Sequence, residues 1–294
     1  VNKYVGDFIK LEVDNFLHKN ADVAEAIQQK IQESEKERKA IAGVTKLARE
    51  RAKKANLHNR KLRDCRIHLN DPKGKGLEED SCIFITEGDS ASGSITKSRD
   101  VNTQAVFSLR GKPLNSFGLT KKVVYENEEF NLLQAALNIE DGIEGLRYNK
   151  VIAATDADVD GYQIRTLVLT MLYRLTPTLI NQGYVYIAES PLYEINTKNK
   201  TYFAYTEPEK ADIMKRIDGQ KFTIQRSKGL GENDPEMMWL TTMSPESRRL
   251  IKVLPTDVQR TAEVFDLLLG DNLQGRKEHI AEHGAEYLDD LDVS

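Results

Sequence analysis

Residues 155–161 read Thr-Asp-Ala-Asp-Val-Asp-Gly and follow directly on the apolar run Val151, Ile152, Ala153 and Ala154. The run predicts a short buried strand. Asp156, Asp158 and Asp160 then stand at its carboxyl end, and in open α/β sheets that edge is where ligands bind. Extended backbone would aim all three to one side, with Asp156 and Asp158 about 7 Å apart. Three like charges held together are unfavourable unless a cation neutralises them. Oxygen-only ligands suit Mg²⁺ or Ca²⁺. The plain alternative, a solvated acidic turn, is disfavoured by the strand-end position. D-x-D-x-D-G also opens an EF-hand loop. There the twelfth position should be a bidentate Glu, but here it is Leu167, and the preceding segment is β-like rather than helical. A phosphatase with a strand-terminal Asp-x-Asp, one Asp acting as nucleophile, is the stronger competitor.

A second constellation follows a second apolar run at residues 82–85: Thr86-Glu87-Gly88-Asp89-Ser90-Ala91-Ser92-Gly93-Ser94. Glu87 stands at the end of a predicted strand. Gly88 permits a tight turn, and Ser90 or Ser92 is expected to cap the next helix. Alone this reads equally well as an ordinary strand-to-helix turn. Beside the Asp triplet it adds a fourth carboxylate to the same sheet edge. A third constellation is Gln225-Arg226-Ser227-Lys228-Gly229-Leu230-Gly231-Glu232. Its glycines bring backbone close to a ligand and Lys228 offers a charge to phosphate. Without the other two motifs it is a turn.

The rest of the chain frames these sites. Residues 1–64 hold no proline, and Val23, Ile27, Ile31, Ile41, Val44 and Ala48 recur mostly at three- and four-residue steps. This predicts an amphipathic helix over 23–56, capped by Asn20 or Asp22 and about 50 Å long, a strut rather than a core. Residues 70–80 read as a loop. Further strands are predicted at 105–109, 184–188, 193–195 and 222–225, and helices at 130–137, 163–180, 208–217 and from 235 onward. Strands alternating with helices predict an α/β fold with a largely parallel sheet. The most apolar stretch, 166–180, is interrupted by Arg174 and Pro177 and is too short to span a bilayer, so no membrane role is expected. Lys3, Asp7 and Lys10 exclude a signal peptide at the start. Two cysteines, Cys65 and Cys82, are too few for a disulfide scaffold and fit a reducing cytoplasm. Opening at Val1 rather than methionine suggests a piece of something longer. Net charge is −4, yet residues 46–66 carry nine Lys or Arg against Glu50 and Asp64, while only acids follow Lys277. That basic segment reads as a solvated helix face or as a phosphate-contacting surface.

A strand-end Glu beside a strand-end Asp-x-Asp resembles the toprim fold, a metal-binding α/β domain of topoisomerases, primases and some nucleases. EGDSA (87–91), LRGKPLN (109–115), DADVDG (156–161) with IRTL (164–167), SPLYEI (190–195), KGLGE (228–232), MWLTTM (238–243) and SRRLIKV (247–253) occur in that order. The succession closely resembles the B subunits of bacterial type IIA topoisomerases, gyrase B and topoisomerase IV B, over roughly 63–284. The resemblance implies a toprim domain with a Rossmann-like, largely parallel sheet at 65–200. Residues 1–64 would be the end of a transducer region with a long connecting helix, and 201–294 the KGLGE region with a helical tail. It also implies transesterification: a tyrosine of the A subunit attacks a DNA phosphodiester, leaving a 5′-phosphotyrosyl link and a free 3′-OH. By resemblance, Glu87 and Asp156 hold the Mg²⁺ nearest the scissile phosphate, with Mn²⁺ or Ca²⁺ as substitutes. Asp156 and Asp158 hold a second ion, and Asp160 assists. Arg110, Lys112 and Lys228 contact DNA or the developing charge; ordinary surface cations are the plain alternative.

The implied partners are double-stranded DNA and the A subunit in an A2B2 heterotetramer, in the cytoplasm. No ATPase domain or Walker-type loop is visible, so ATP use belongs to a domain outside this chain, and the chain alone should be inactive. Gln163, Ser227 and Ser92 depart from the family's usual His, aromatic and Gly, the ending at 270–280 diverges, and the large insertion of one gyrase subtype is missing between 193 and 228. Those departures touch fine specificity, since the carboxylates are intact. A different toprim enzyme would not need residues 228–232 or the helical tail, and a phosphatase would leave Glu87 without a role. A non-enzymatic piece that only binds metal, DNA and its partner is the remaining alternative.

Overall fold

A computed structural model of the chain describes residues 2–55, 61–139, 142–227, 229–255 and 257–286. Two helices open it, α1 (Asn2–Lys19) and α2 (Ala21–Ala55). The long helix lies where expected, but it starts at Ala21, so Asp22 falls inside it rather than capping it, and the Asn20 side-chain amide donates back to Phe16 O at 2.8 Å. The earlier one was not foreseen; Tyr4, Phe8, Leu11 and Phe16 along it are all exposed. Of the basic segment 46–66, the side chains of 46–60 lie outside the described residues; those of Lys61, Arg63 and Arg66 are described.

The chain then runs through β1 (Leu62–Arg63), β2 (Cys82–Glu87), α3 (Gly88–Ser98), β3 (Gln104–Leu109), α4 (Lys121–Glu126) and α5 (Glu128–Leu137). It continues with β4 (Lys150–Ala154), α6 (Val159–Leu175), α7 (Pro177–Asn181) and β5 (Val185–Glu189). Next come β6 (Tyr193–Thr197), β7 (Thr201–Ala204), α8 (Glu207–Arg216) and β8 (Phe222–Arg226). It ends with α9 (Pro235–Met238), a π-helical turn at Trp239–Met243, β9 (Arg249–Lys252), α10 (Val258–Leu269) and α11 (Leu273–His283).

Six strands form one sheet in the order β1-β3-β2-β4-β5-β9. The four inner strands are parallel and the two edges antiparallel. This is the α/β fold with a mostly parallel sheet and helical flanks that the alternation of elements predicts. Side chains alternate across a strand, so β2 feeds two cores. Ile83 and Ile85 pack on one face with Phe107, Leu133, Tyr148 and Val168. Cys82 and Phe84 pack on the other with Ile95, Ile152, Leu230 and Met243. A sheet covered on both sides needs continuous apolar strands, which is why β2 and β4 read as unbroken runs.

Two expectations are corrected, and one predicted strand is found in a second sheet. The helix expected over 163–180 is two: α6 starts at Val159, and Pro177, which cannot donate into a helical ladder, opens α7 instead. The strand predicted at 193–195 leaves the main sheet and centres a separate antiparallel sheet, β7-β6-β8, with a small core of Ile195, Ala204, Ile213 and Ile217. And β9 interrupts the helices expected after residue 235, pairing with β5 from Tyr186↔Lys252 to Glu189↔Arg249. No helix among the described residues is long and apolar enough to cross a membrane.

Candidate metal centre

Register brings the predicted carboxylates together. β2 and β4 run parallel from Cys82↔Lys150 to Thr86↔Ala154, so the two strands end level and Glu87 stands beside the start of the Asp segment. Glu87 leaves β2 in extended conformation, and Gly88, at φ +66°, turns the chain at once into α3. That left-handed backbone is natural for glycine and strained for other residues. Neither Ser90 nor Ser92 caps the helix, as α3 has already begun at Gly88. Ser92 instead hydrogen-bonds Gly88 O at 2.8 Å and the Thr86 hydroxyl, locking the turn from inside.

The three aspartates do not alternate along extended backbone as expected. The chain bends at Ala157 and enters α6 at Val159, which gives each carboxylate a different protein partner. Asp156 Oδ1 accepts from Leu230 N at 2.7 Å. Asp158 is the N-cap of α6 and accepts from Gly161 N at 2.7 Å. Asp160, in the first helical turn, pairs with Lys112 Nζ at 2.6 Å. Gly161 is required here, since an added Cβ would lie 2.1 Å from Asp156 O.

The group is electrostatically strained without a cation. Burial, and then the charges of Asp156, Asp158 and Asp160, push the Glu87 carboxyl above its ordinary value, against Lys112. Asp156 is raised by burial, with Asp158 and Glu232 adding and the Leu230 amide opposing. Four oxygen donors that repel one another are a donor set suited to a hard divalent ion. The oxygens do not all lie within 4.8 Å of one another, as atoms of Asp64, Cys65 and His68 do.

Of the predicted cations, Lys112 is at the site through Asp160. Arg110 anchors its backbone N to Glu129 Oε1 at 2.6 Å, and it lines a groove of about 700 Å³ with Lys61, Arg63, Lys97 and the α3 amino end. Lys228 lies outside the described residues. On the other side of the Asp segment, a cavity of about 280 Å³ is lined by Asp156, Tyr162, Arg165, Glu189 and Ser190.

Two features escape a reading of the sequence. One is the Leu230 amide, a backbone donor 74 positions from its acceptor. The other is a network at the amino end of the sheet, where Asp64 pairs with Arg147, accepts from Tyr148 Oη at 2.7 Å and lies 3.0 Å from His68 Nε2. Burial raises the Asp64 carboxyl, but His68, Tyr148 and Arg147 together outweigh it and hold it well below the usual carboxylate range. With Arg147 already neutralising Asp64, this cluster ties the chain just after β1 to the chain just before β4.

The toprim domain family matches residues 82–190, and the family described as DNA gyrase B subunit, carboxyl terminus, matches 219–281. The chain is 41% identical over 271 residues to the DNA topoisomerase 4 B subunit of Borreliella burgdorferi, covering 92% of this chain and 45% of that protein. It is 37% identical over 300 residues to the DNA gyrase B subunit of Thermus thermophilus, covering 98% and 45%. To that of Haloferax lucentense it is 39% identical over 286 residues, covering 95% and 44%.

The chain belongs to the gyrase B and topoisomerase IV B family. It spans about 45% of the length of these curated relatives. Toprim domains bind divalent metal, and the oxygen-only set of Glu87, Asp156, Asp158 and Asp160 lies wholly within the toprim match. Leu230 lies in the gyrase B carboxyl-terminal match, so its hydrogen bond to Asp156 joins the two matched regions.

Proposed function

We propose that the chain supplies the metal-holding half of a divided DNA-cleavage site in a type IIA topoisomerase, gyrase or topoisomerase IV. The observation that carries this reading is the level ending of β2 and β4, which sets Glu87 beside the Asp156 segment with Lys112 at its rim. Glu87 and Asp156 would hold Mg²⁺, with Asp158 holding a second ion and Asp160 assisting. An ion held by these residues would supply charge stabilisation to the 3′ oxygen as leaving group when a tyrosine attacks the phosphodiester. Arg110 and Lys112 position the DNA backbone by charge, as Lys228 does from the neighbouring motif. The adjoining groove is lined by Arg63, Lys97 and Arg110, by Lys61, which pairs with Glu129, and by the acid Asp89, so its lining is basic on balance.

The nucleophile belongs to an A subunit, and two copies of each subunit form the working A2B2 enzyme on double-stranded DNA in the cytoplasm. Tyr162, the tyrosine closest in sequence to the Asp triplet, stacks on the Arg165 guanidinium at 4.7 Å. ATP hydrolysis, which drives the whole enzyme, is assigned to a domain outside these residues, so the pure chain turns over no ATP.

The test is cleavage of supercoiled DNA by this chain mixed with a matching A subunit and Mg²⁺, without ATP. Scission needs only metal, tyrosine and positioning. The 5′ end should become covalently joined to the A chain, and this chain alone should leave DNA intact. A covalent link on this chain, or metal-dependent nicking by it alone, would refute the divided site and favour a nuclease-type toprim enzyme.

A further inference from the structure

Residues 229–232 form a tight strap that reaches Asp156 from outside the toprim match. Leu230 N donates to Asp156 Oδ1 at 2.7 Å. An added Cβ at Gly229 would lie 2.5 Å from Asp156 Oδ2, so the carboxylate lies close against the strap and leaves no room there for a side chain. The strap itself is pinned. The Leu230 side chain is 1% exposed in the core with Ala91, Ile95, Met238 and Met243. Ser94 Oγ donates to Gly231 O at 3.1 Å, and Glu232 N closes the turn on Gly229 O at 3.0 Å. A Cβ at Gly231 would meet Ser90 Cβ at 3.1 Å, leaving no slack between strap and α3. Since α3 starts immediately after Glu87, one rigid assembly sets both Glu87 and Asp156.

We infer that the 229–230 strap is a positioning element for Asp156, fixing its carboxylate rotamer and so setting the chain's affinity for a divalent cation. The inference rests on the proposed metal role of Asp156. A ligand carboxylate with one oxygen spent on a fixed backbone donor presents the other in a defined direction. Such supporting contacts typically change metal affinity about 10–100-fold. The three atoms nearest to where a Cβ at 229 would stand all belong to this carboxylate. The Gly229 φ of −60° and ψ of 154° suit any residue, and what a side chain would strike is the carboxylate end of Asp156 rather than backbone. A larger residue would therefore leave the fold in place and turn the carboxylate away.

The experiment is a Mg²⁺ titration by calorimetry on the full chain and on Gly229→Ala, Asp156→Asn and the double variant, with thermal melts of each without metal. Gly229→Ala should weaken Mg²⁺ binding about tenfold or more while the metal-free melting temperature stays near the parent's. In the Asp156→Asn background the same change should add no further loss, because the strap acts through that carboxylate. Parental affinity in Gly229→Ala with weakened binding in Asp156→Asn would overturn the inference and leave the metal reading standing. Parental affinity in both would overturn the metal reading as well. An equal loss in both backgrounds, with a lowered metal-free melting temperature, would make Gly229 merely structural and also overturn the inference.

Discussion

Asp158 caps α6 through Gly161 N and stands among three other carboxylates, so its two roles pull in opposite directions. Asn caps a helix as well as Asp does, and it removes a charge from a repelling group. Asp158→Asn should therefore leave the metal-free chain equally stable or slightly more so, whereas Asp158→Ala should cost about 1 kcal/mol in denaturant unfolding. A large loss in the Asn variant would give Asp158 a structural role instead. The raised carboxyls make a second prediction. A folded-state value above the unfolded one means that stability is gained as pH falls through the raised value, and the gain is complete below the ordinary 4.5 of Glu87 and 3.8 of Asp156. Asp64 works oppositely: its folded value is depressed, so its contribution is lost only as pH falls below 3.8. Metal-free melts should thus become more stable on mild acidification from neutrality and lose that gain at stronger acidity, and Glu87→Gln should blunt the rise. A steady decline from neutrality downward would contradict this. These carboxylates were legible in the sequence because charge at the end of an apolar run is a local pattern. The Leu230 amide was not, since a backbone donor carries no side-chain signature.

Elements were legible where burial made them continuous. β2 and β4 sit between two cores and read as apolar runs; β8, although exposed throughout, was announced by the alternating Phe222 and Ile224, and the long helix α2 by its three- and four-residue spacing. The start of α6 was misplaced by four residues because its cap, Asp158, was read as extended strand. β9 was missed for a different reason: Arg249, Ile251 and Lys252 are exposed on an edge strand, so no apolar alternation announces it. The strap shows why contacts between elements matter more than their limits. Leu230→Ala removes a fully buried side chain from the core beside α3 and should cost about 2–5 kcal/mol in chemical unfolding. An effect below about 1 kcal/mol would mean that the strap is not anchored there.

At the scale of the molecule, the main sheet draws on both ends of the matched sequence. β1 precedes the toprim match and β9 follows it by almost sixty residues, while Leu230, Met238 and Met243 complete one core. Residues 65–200 expressed alone should therefore unfold non-cooperatively or aggregate, with the β5 edge bare and Leu230, Met238 and Met243 missing from one core. A sharp, reversible melt of that piece would show that it folds independently. The family was legible in the order of the motifs, although no single motif carries it. The central claim is that the carboxylates at the ends of β2 and β4 serve a metal ion used in strand cleavage rather than DNA contact. Its most direct test is Glu87→Ala, assayed with a matching A subunit, Mg²⁺ and labelled DNA for both cleavage and binding. Cleavage should fall by about a hundredfold or more while DNA affinity stays nearly unchanged. Parental cleavage, or a loss of cleavage fully matched by a loss of binding, would contradict the account.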